Sequence, residues 1–331
     1  MAKDVLVVIE HENGAPRRPS LEALALARRL AASFGGRALA AVAGAGVGEI
    51  ARSVASSGAD VVYHLDHELL ERYTPDGYRQ AIAPLVRELS PEWVLMGHTY
   101  LAQDLLPLVS AGFDAPVVSD CVEAEVDGEQ VIFSRQPYDA KLIARIVDRG
   151  PAPHFATLQS GAFPADELPQ GHGGTVETRA VDLSPDQIRR KVLEIREAGG
   201  RTVDLTSAEI IVAGGRGLGS KEKFEQLMGR LAEALGGAAI GASRPVVDND
   251  WLPHDHQIGS SGQTVSPKLY VGVGISGAIQ HVVGIRGSQV IVAINRDKDA
   301  PIFNEATYGI VGDAEELVPV IADAIAEARQ S

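Results

Sequence analysis

The sequence predicts an α/β fold made of two domains, the first of which has a mostly parallel sheet. In the first half of the chain, short β-branched runs alternate with longer stretches of helical period, which is the pattern of parallel strands covered by helices. Between about residues 162 and 206 the apolar periodicity fades into Gly, Pro and charged residues, as in a connecting segment. A strand, a glycine-rich turn and an amphipathic helix follow, so we assign residues 1–199 and 200–331 to separate α/β domains.

Local signals locate the first elements of the N-terminal domain. Strands are predicted at residues 4–9, 38–42 and 93–97, and helices at residues 21–33 and 77–89. Thr74 and Pro75 supply the second helix with an N-cap and a first-turn proline. Pro84 predicts a kink within the same helix.

Two further patterns complete the predicted architecture. Residues 117–126 and 130–135, joined by Asp127 and Gly128, indicate an antiparallel hairpin, so the first sheet is expected to have a mixed edge. The second domain is predicted to begin with a strand at residues 208–213, a glycine-rich turn at 214–219 and a helix at 221–235.

Charge and composition exclude several classes of function. Lys and Arg number 30 against 44 Asp and Glu, and the net charge of -14 disfavours a nucleic-acid partner. Cys121 is the single cysteine, so the chain can form neither an intrachain disulfide nor an iron–sulfur cluster of its own. No signal peptide pattern opens the sequence, and the apolar runs are far shorter than the roughly 20 residues of a membrane span. We expect a soluble, cytoplasmic protein with no membrane insertion.

The strongest motif in the chain is a glycine fingerprint between a strand and a helix. A strand-like run at residues 269–271 leads into the GxGxxG of residues 272–277, and helical residues follow. Glycines there allow a tight turn and close approach of the backbone to a pyrophosphate. Glycine also occurs at turns for conformational reasons alone, so the weight of the motif rests on this context. The next strand, at residues 289–294, ends at Asn295, where such a fold reads a ribose, and the second domain is therefore predicted to be Rossmann-like.

Two arginines follow strands of the second domain. Arg216 lies in the first glycine-rich turn, where it is either a phosphate ligand or, more simply, a solvated loop charge. Ser243 and Arg244 follow the strand-like residues 238–242. Because open α/β sheets bind ligands at the carboxyl ends of their strands, Arg244 is the better candidate.

Three other positions each have a simple structural interpretation. His254 and His256 lie close together in a polar stretch, but no third ligand stands at a metal-binding spacing, so surface-loop histidines are favoured and no metal site is assigned. Asp313 fits a capping box that opens the last helix, while a ribose contact stays open. His281 fits a packed, hydrogen-bonded core histidine as well as a functional one.

A long stretch of the second domain resembles a known family. The segments GASRPVVDNDW, QIGSSGQTVSPKLYVGVGISGAIQHVVGI and VIVAINRDKDAPIFNEATYGIVGD, between Gly241 and Asp313, closely resemble electron transfer flavoprotein alpha subunits, the ETF alpha/FixB family. The resemblance extends upstream through IVAGGRGLG at residues 211–219 and more loosely over the whole chain. It implies one FAD in the C-terminal domain and an N-terminal domain that packs on a beta subunit.

The resemblance also implies which residues bind FAD. Asn295 and Asp313 would hold the adenosine end, and the hydroxyl of Ser261 would lie near flavin N5. Ser260 departs from the family, many members of which have Gln there, so the amide contact is lost. Arg244, Ser261 and His281 would tune the flavin potential, with the helix after Gly277 adding its dipole. The implied FAD ligands are Arg216, Ser243, Arg244, Ile258, Gly259, Ser260, Ser261, Ser276, Gly277, Ala278, Ile279, Gln280, His281, Asn295 and Asp313.

The function implied by the resemblance is that of an electron carrier rather than an enzyme. Such a carrier is an obligate heterodimer whose beta subunit binds AMP or a second FAD. It passes electrons from dehydrogenases, such as the acyl-CoA dehydrogenases of fatty acid oxidation, to a membrane quinone reductase or another acceptor. Two alternatives rest on the residues alone. An NAD-dependent dehydrogenase would use the same GxGxxG. An ATP-using or purely regulatory binding protein is suggested only by the nucleotide-domain pattern of the N-terminal half, and ATP hydrolysis is disfavoured because no P-loop is present.

Overall fold

The computed structural model describes residues 2–138, 141–194, 205–206 and 208–330. The chain divides into two compact units, Met1–Pro137 with Lys141–Ile195, and Tyr138–Ala140 with Arg196–Ser331. The boundary predicted near residue 200 lies outside the described residues.

The first unit is built on a large, mostly parallel sheet. Its strands are β1 (Val5–Ile9), β2 (His11–Glu12), β3 (Ala15–Pro16), β4 (Ala38–Gly44), β5 (Val61–Asp66), β6 (Trp93–Gly97), β7 (Val117–Asp127), β8 (Gln130–Arg135), β9 (Ala144–Val147), β10 (His154–Leu158) and β11 (Thr175–Thr178). Its helices are α1 (Arg18–Phe34), α2 (Gly48–Ser56), α3 (Pro75–Leu89) and α4 (Tyr100–Ser110). Within the described residues, nine strands form one sheet in the order β11-β5-β4-β1-β6-β10-β7-β8-β9, and β2 pairs only with β3.

Helices cover both faces of this sheet, which explains why β1 and β4 are apolar throughout. Val5, Val7 and Ile9 pack in one core cluster with α1 and α2. Leu6 and Val8 point to the opposite face and pack in a second cluster with α3 and α4. The antiparallel pairs β7–β8 and β8–β9 give the sheet the mixed edge expected from the sequence.

The sequence predicted the type of most of these elements correctly and some of their limits incorrectly. Strand β6 has the predicted limits, and the Thr74 hydroxyl caps α3 by accepting a hydrogen bond from the Gly77 amide. Helix α1 begins at Arg18 rather than at residue 21, because Pro19 is tolerated in a first helical turn. The predicted connecting segment contains β11, which pairs in parallel with β5. This edge strand is four residues long and mostly exposed, so it has no apolar period to reveal it.

The second unit has a smaller, fully parallel sheet. Its strands are β12 (Ile210–Gly214), β13 (Ala239–Ala242), β14 (Leu269–Val273), β15 (Val290–Asn295) and β16 (Tyr308–Val311). Its helices are α5 (Lys221–Ala234), α6 (Arg244–Asp248), α7 (Ile279–Val282) and α8 (Ala314–Gln330). The strand order is β13-β12-β14-β15-β16. Strands β13 and β14 therefore pair with β12 on opposite sides, and the order in which strands are added reverses at β12. This is the topology of a dinucleotide-binding fold.

The two faces of the smaller sheet are covered differently. Val212 and Val273 lie in a core cluster with residues of the long helices α5 and α8. Tyr270 lies on the opposite face in a cluster formed largely by loop residues such as Ile258 and Ile302. The helix predicted after the glycine fingerprint is only the four-residue α7. Helices long and apolar enough to cross a membrane are absent from the described parts of the chain.

Candidate functional site

The predicted site residues of the second unit lie at the carboxyl ends of the strands of its sheet, which we call the carboxyl edge. Because all five strands are parallel, their carboxyl ends meet at this edge. The residues that directly follow these ends are Arg216 after β12, Ser243 and Arg244 after β13, Ser276 to His281 after β14, Asn295 at the end of β15 and Asp313 after β16.

Two glycine turns at this edge contact each other through their backbones. The Gly215 amide donates to the Val273 carbonyl at 2.8 Å, and the Gly217 amide donates to the Gly274 carbonyl at 3.1 Å. A Cβ atom on Gly215 would lie 2.1 Å from the Gly274 oxygen. Glycine is therefore required here by close packing, and Arg216 between the two glycines remains exposed.

The fingerprint ends in a constrained glycine followed by an exposed segment. Gly277 has φ +83°, and an added Cβ would lie 2.2 Å from the Ile302 amide nitrogen. Ser276, Ala278 and Gln280 are exposed and available to a ligand, whereas Gly277 itself is buried. Helix α7 has only a weak macrodipole, since it contains a single turn.

A second loop extends the sheet beyond the end of β13. The Ile258 amide donates to the Ala242 carbonyl, and the Ser260 amide donates to the Gln280 carbonyl at 2.7 Å. Gly259 adopts φ +138°, where a Cβ would lie 2.5 Å from the same Gln280 oxygen. The loop of residues 257–263 is thus fixed against the segment that follows the glycine fingerprint, and Ser260 and Ser261 remain exposed.

His281 is buried beneath this loop. Its Nδ1 lies 3.1 Å from the Ile258 carbonyl oxygen, and its Nε2 lies 2.7 Å from the Tyr270 hydroxyl. Since a carbonyl only accepts, Nδ1 carries the proton and Nε2 accepts from Tyr270. Burial lowers the pKa of His281 to about 4, so the ring is neutral. This is the packed, hydrogen-bonded interpretation of His281, and its contact with a cofactor stays a prediction.

The charged and amide side chains at the edge differ in how firmly they are held. Arg244 is exposed and its Nε lies 3.4 Å from Asp248 Oδ2, one turn along α6. The Asn295 amide donates to the Ile275 carbonyl at 2.9 Å and joins β15 to the fingerprint turn. Asp313 caps α8 by accepting from the Glu315 amide at 2.8 Å, which is the capping half of the predicted capping box. The exposed pair with Asp248 leaves the Arg244 side chain able to turn toward a ligand.

The two histidines of the polar stretch lie on a short 3-10 turn at residues 254–256. His256 Nδ1 donates to the Ile240 carbonyl at 2.7 Å, which anchors this turn to β13. No group of three or more His, Cys, Asp or Glu side chains suited to a metal ion occurs among residues 2–138, 141–194, 205–206 and 208–330.

Two buried side chains that support this site were not identified from the sequence. Tyr270 is fully buried beside His281, and Gln257, which is 3% exposed, donates from Nε2 to both the carbonyl and the hydroxyl oxygen of Ser261. No spacing rule relates these pairs, because each contact depends on how the loops fold back onto the sheet. The only sequence signal for these contacts is that Gln257 is polar and lies in a turn-rich stretch.

A parallel sheet with glycine turns and polar side chains at its carboxyl edge defines the second unit as a Rossmann-like domain for a nucleotide-containing cofactor. Comparison with known proteins identifies the cofactor. Residues 5–184 match the family model described as Electron transfer flavoprotein domain, and residues 204–286 match the Electron transfer flavoprotein FAD-binding domain.

Curated relatives span nearly the whole chain. The chain is 38% identical over 324 residues to an electron transfer flavoprotein subunit alpha of Thermoanaerobacterium thermosaccharolyticum, with 98% of both chains covered. It is 39% identical over 323 residues to the subunit of the same name in Bacillus subtilis, covering 98% of this chain and 97% of the relative. It is 34% identical to the acryloyl-CoA reductase electron transfer subunit beta of Anaerotignum propionicum, with 99% and 97% covered.

The chain belongs to the electron transfer flavoprotein alpha-subunit family. The family resemblance and the α/β fold class predicted from the sequence are confirmed. The chain is an FAD-binding subunit of an electron carrier rather than an enzyme with a substrate of its own, and as a subunit it implies a beta partner. These comparisons do not support the NAD-dependent dehydrogenase alternative.

Proposed function

We propose that this chain is the FAD-carrying half of a cytoplasmic heterodimer that takes electrons from dehydrogenases, including acyl-CoA dehydrogenases, and delivers them to a membrane quinone reductase or another acceptor. The observation that carries this proposal is the pair of family models that together match most of the chain. In the proposed dimer, residues 1–199 pack on the beta subunit and residues 200–331 form the FAD domain. The beta subunit binds AMP or a second FAD.

The donors at the carboxyl edge of the second sheet fit FAD. Arg216 and the exposed residues Ser276, Ala278 and Gln280 suit a pyrophosphate, since glycine turns let the backbone approach it closely. Asn295 and Asp313 are assigned to the adenosine end. Ser243, Arg244 and His281, together with Ile258 to Ser261, are assigned to the flavin side. When bound, FAD supplies the one- and two-electron chemistry that none of these side chains has.

Arg244 is the residue assigned to stabilise negative charge on the reduced cofactor. Its guanidinium is permanently charged and presents several donors in a plane. The pair with Asp248 is exposed on both sides, with 67% and 59% of the side chains accessible, so it is readily exchanged for a ligand contact. His281 contributes differently, because its neutral ring fixes the Ile258 carbonyl instead of carrying charge.

The decisive experiment is an absorption spectrum of this chain purified together with its beta subunit, recorded during stepwise anaerobic reduction. We expect bound flavin that accepts electrons one at a time and passes them on to an external acceptor. A complex that holds no flavin after reconstitution with FAD would contradict the proposal. Reduction by acyl-CoA dehydrogenase plus its substrate, compared with reduction by dithionite, tests the proposed class of donor.

A further inference from the structure

A cavity of about 690 Å³ lies within the first unit, beside the first half of helix α3. Its other walls are formed by Leu108 near the end of α4, by Ala111 and Gly112 just beyond that helix, and by residues 186–190. Volumes of roughly 300–1,000 Å³ are typical of sites for small molecules. All of the lining residues belong to the first unit, so the cavity shares no residue with the carboxyl edge of the second sheet.

The two carboxylates of the lining already have hydrogen-bond donors of their own. Asp76 Oδ2 accepts from the backbone amides of Arg189 and Arg190, both at 3.1 Å, which fixes this pair of residues against the start of α3. Asp186 Oδ1 accepts from the Ser184 hydroxyl at 2.6 Å. In the described part of the chain, neither carboxylate forms an ion pair with an arginine side chain of the lining.

Three guanidinium groups of the lining, those of Arg79, Arg189 and Arg190, have no ion pair among the residues that the structure describes. A fourth lies close by, because Nη2 of Arg79 and Nη2 of Arg87 lie 3.8 and 3.4 Å from the same point, where a Cβ on Gly112 would be. The Arg87 side chain is held there by donating to the Gly112 carbonyl at 3.3 Å. The cavity therefore carries a net positive charge in a chain whose net charge is -14, and such a local field attracts anions.

We propose that this arginine cavity binds a polyphosphate anion, either free or as part of a metabolite, through Arg79, Arg189 and Arg190. A guanidinium group is permanently charged and presents paired donors in a plane, which match two oxygens of a phosphate group. A chain of phosphate groups offers enough oxygens for several arginines at once. Gln80 adds an amide donor to the lining, and Leu108 adds apolar surface for the organic part of a metabolite.

Inorganic pyrophosphate is the probe for this site, titrated by calorimetry at low salt into the FAD-loaded complex with the beta subunit. We expect saturable binding that weakens as NaCl is added, because salt screens exposed charges. Arg79→Gln and Arg190→Gln should each weaken binding by about tenfold, since each removes charge-assisted hydrogen bonds to the anion. Arg79→Lys should retain part of the affinity, because the charge remains while the paired donors are lost.

Arg149→Gln is the matched control. Arg149 is exposed and lines a second cavity of the first unit, of about 400 Å³, which also has Glu92, Glu129 and Asp148 in its wall. The substitution removes the same charge from the same unit, so the affinity for pyrophosphate should stay at the wild-type value. Urea unfolding of each variant complex reports whether the fold is intact.

Three results would overturn the inference. They are a wild-type complex that does not bind pyrophosphate, an unchanged affinity in both Arg79→Gln and Arg190→Gln, and an equal loss of affinity in Arg149→Gln. Competition with ADP distinguishes the two sources of the anion. Displacement of pyrophosphate by ADP would assign the cavity to a phosphate-bearing metabolite, whereas binding of pyrophosphate alone would assign it to free polyphosphate.

Discussion

The hydroxyl of Tyr270 lies 2.7 Å from Nε2 of His281, and both side chains are buried. On the far side of the ring, Nδ1 donates to the carbonyl of Ile258, the residue before Gly259. A chain of two hydrogen bonds thus connects the core of strand β14 to the loop of residues 257–263. Since this loop carries Ser261, the shape of the site depends on the buried side chain of Tyr270.

Replacing Tyr270 by Phe should destabilise the protein without changing its charge. The substitution leaves Nε2 of His281 buried with no donor, which costs about 1–3 kcal/mol in the free energy of unfolding. Urea denaturation measures this loss. Tyr308→Phe is the control, because Tyr308 is 65% exposed and its change should stay within about 0.5 kcal/mol. Equal effects of the two substitutions would contradict the buried hydrogen bond.

Acid should destabilise the protein through His281. Burial lowers its pKa to about 4 in the folded state, whereas unfolded histidine titrates near 6.5. Between these values the unfolded state binds more protons, so stability is complete above about pH 6.5 and falls as the pH drops toward about 4, by on the order of 3 kcal/mol. His281→Gln should flatten this part of the stability profile. An unchanged profile in His281→Gln would refute the prediction.

Two glycines in the glycine-rich turns of the second unit allow the effect of close packing on stability to be separated from the effect of backbone conformation. Gly277 and Gly219 both have positive φ, +83° and +87°, but only Gly277 has backbone atoms where a Cβ would lie. Gly219→Ala should cost about 1 kcal/mol of stability for conformation alone. Gly277→Ala should cost at least about twice as much and weaken FAD binding, because the Ile302 backbone must move. Similar losses in both variants would show that the contact with Ile302 is unimportant.

Arg244→Ala should lower the first reduction potential and leave stability nearly unchanged. Removal of a positive charge near the flavin disfavours the added electron, whereas loss of an exposed ion pair costs less than about 1 kcal/mol. Arg230→Ala is the control, because Arg230 on helix α5 forms a similarly exposed pair with Asp323 on helix α8. Potentiometric titration of the complex distinguishes the two variants. An unchanged potential in Arg244→Ala would refute the assigned role.

The sequence predicted the fold well where apolar runs are long and glycines are obligatory. Strands β6 and β14 are almost fully buried, so their composition alone indicated them. Strand β11 was not predicted because it is mostly exposed and has no apolar pattern, and its strand conformation depends on pairing with β5. In the site, the glycine turns were predictable from their motif. The contacts of Gln257 and Tyr270 were not, because they join residues whose proximity arises from tertiary folding.

The loop of residues 257–263 has a final consequence for cofactor affinity. The Gly259 amide donates to the Gln263 carbonyl and the Gly262 amide to the Gly259 carbonyl, so the loop closes on itself through its own backbone. Ordering each backbone residue costs roughly 1–2 kcal/mol of conformational entropy. Here that cost is met when the chain folds rather than when FAD arrives. The loop is preorganised, and more of the interaction energy with the cofactor remains as affinity.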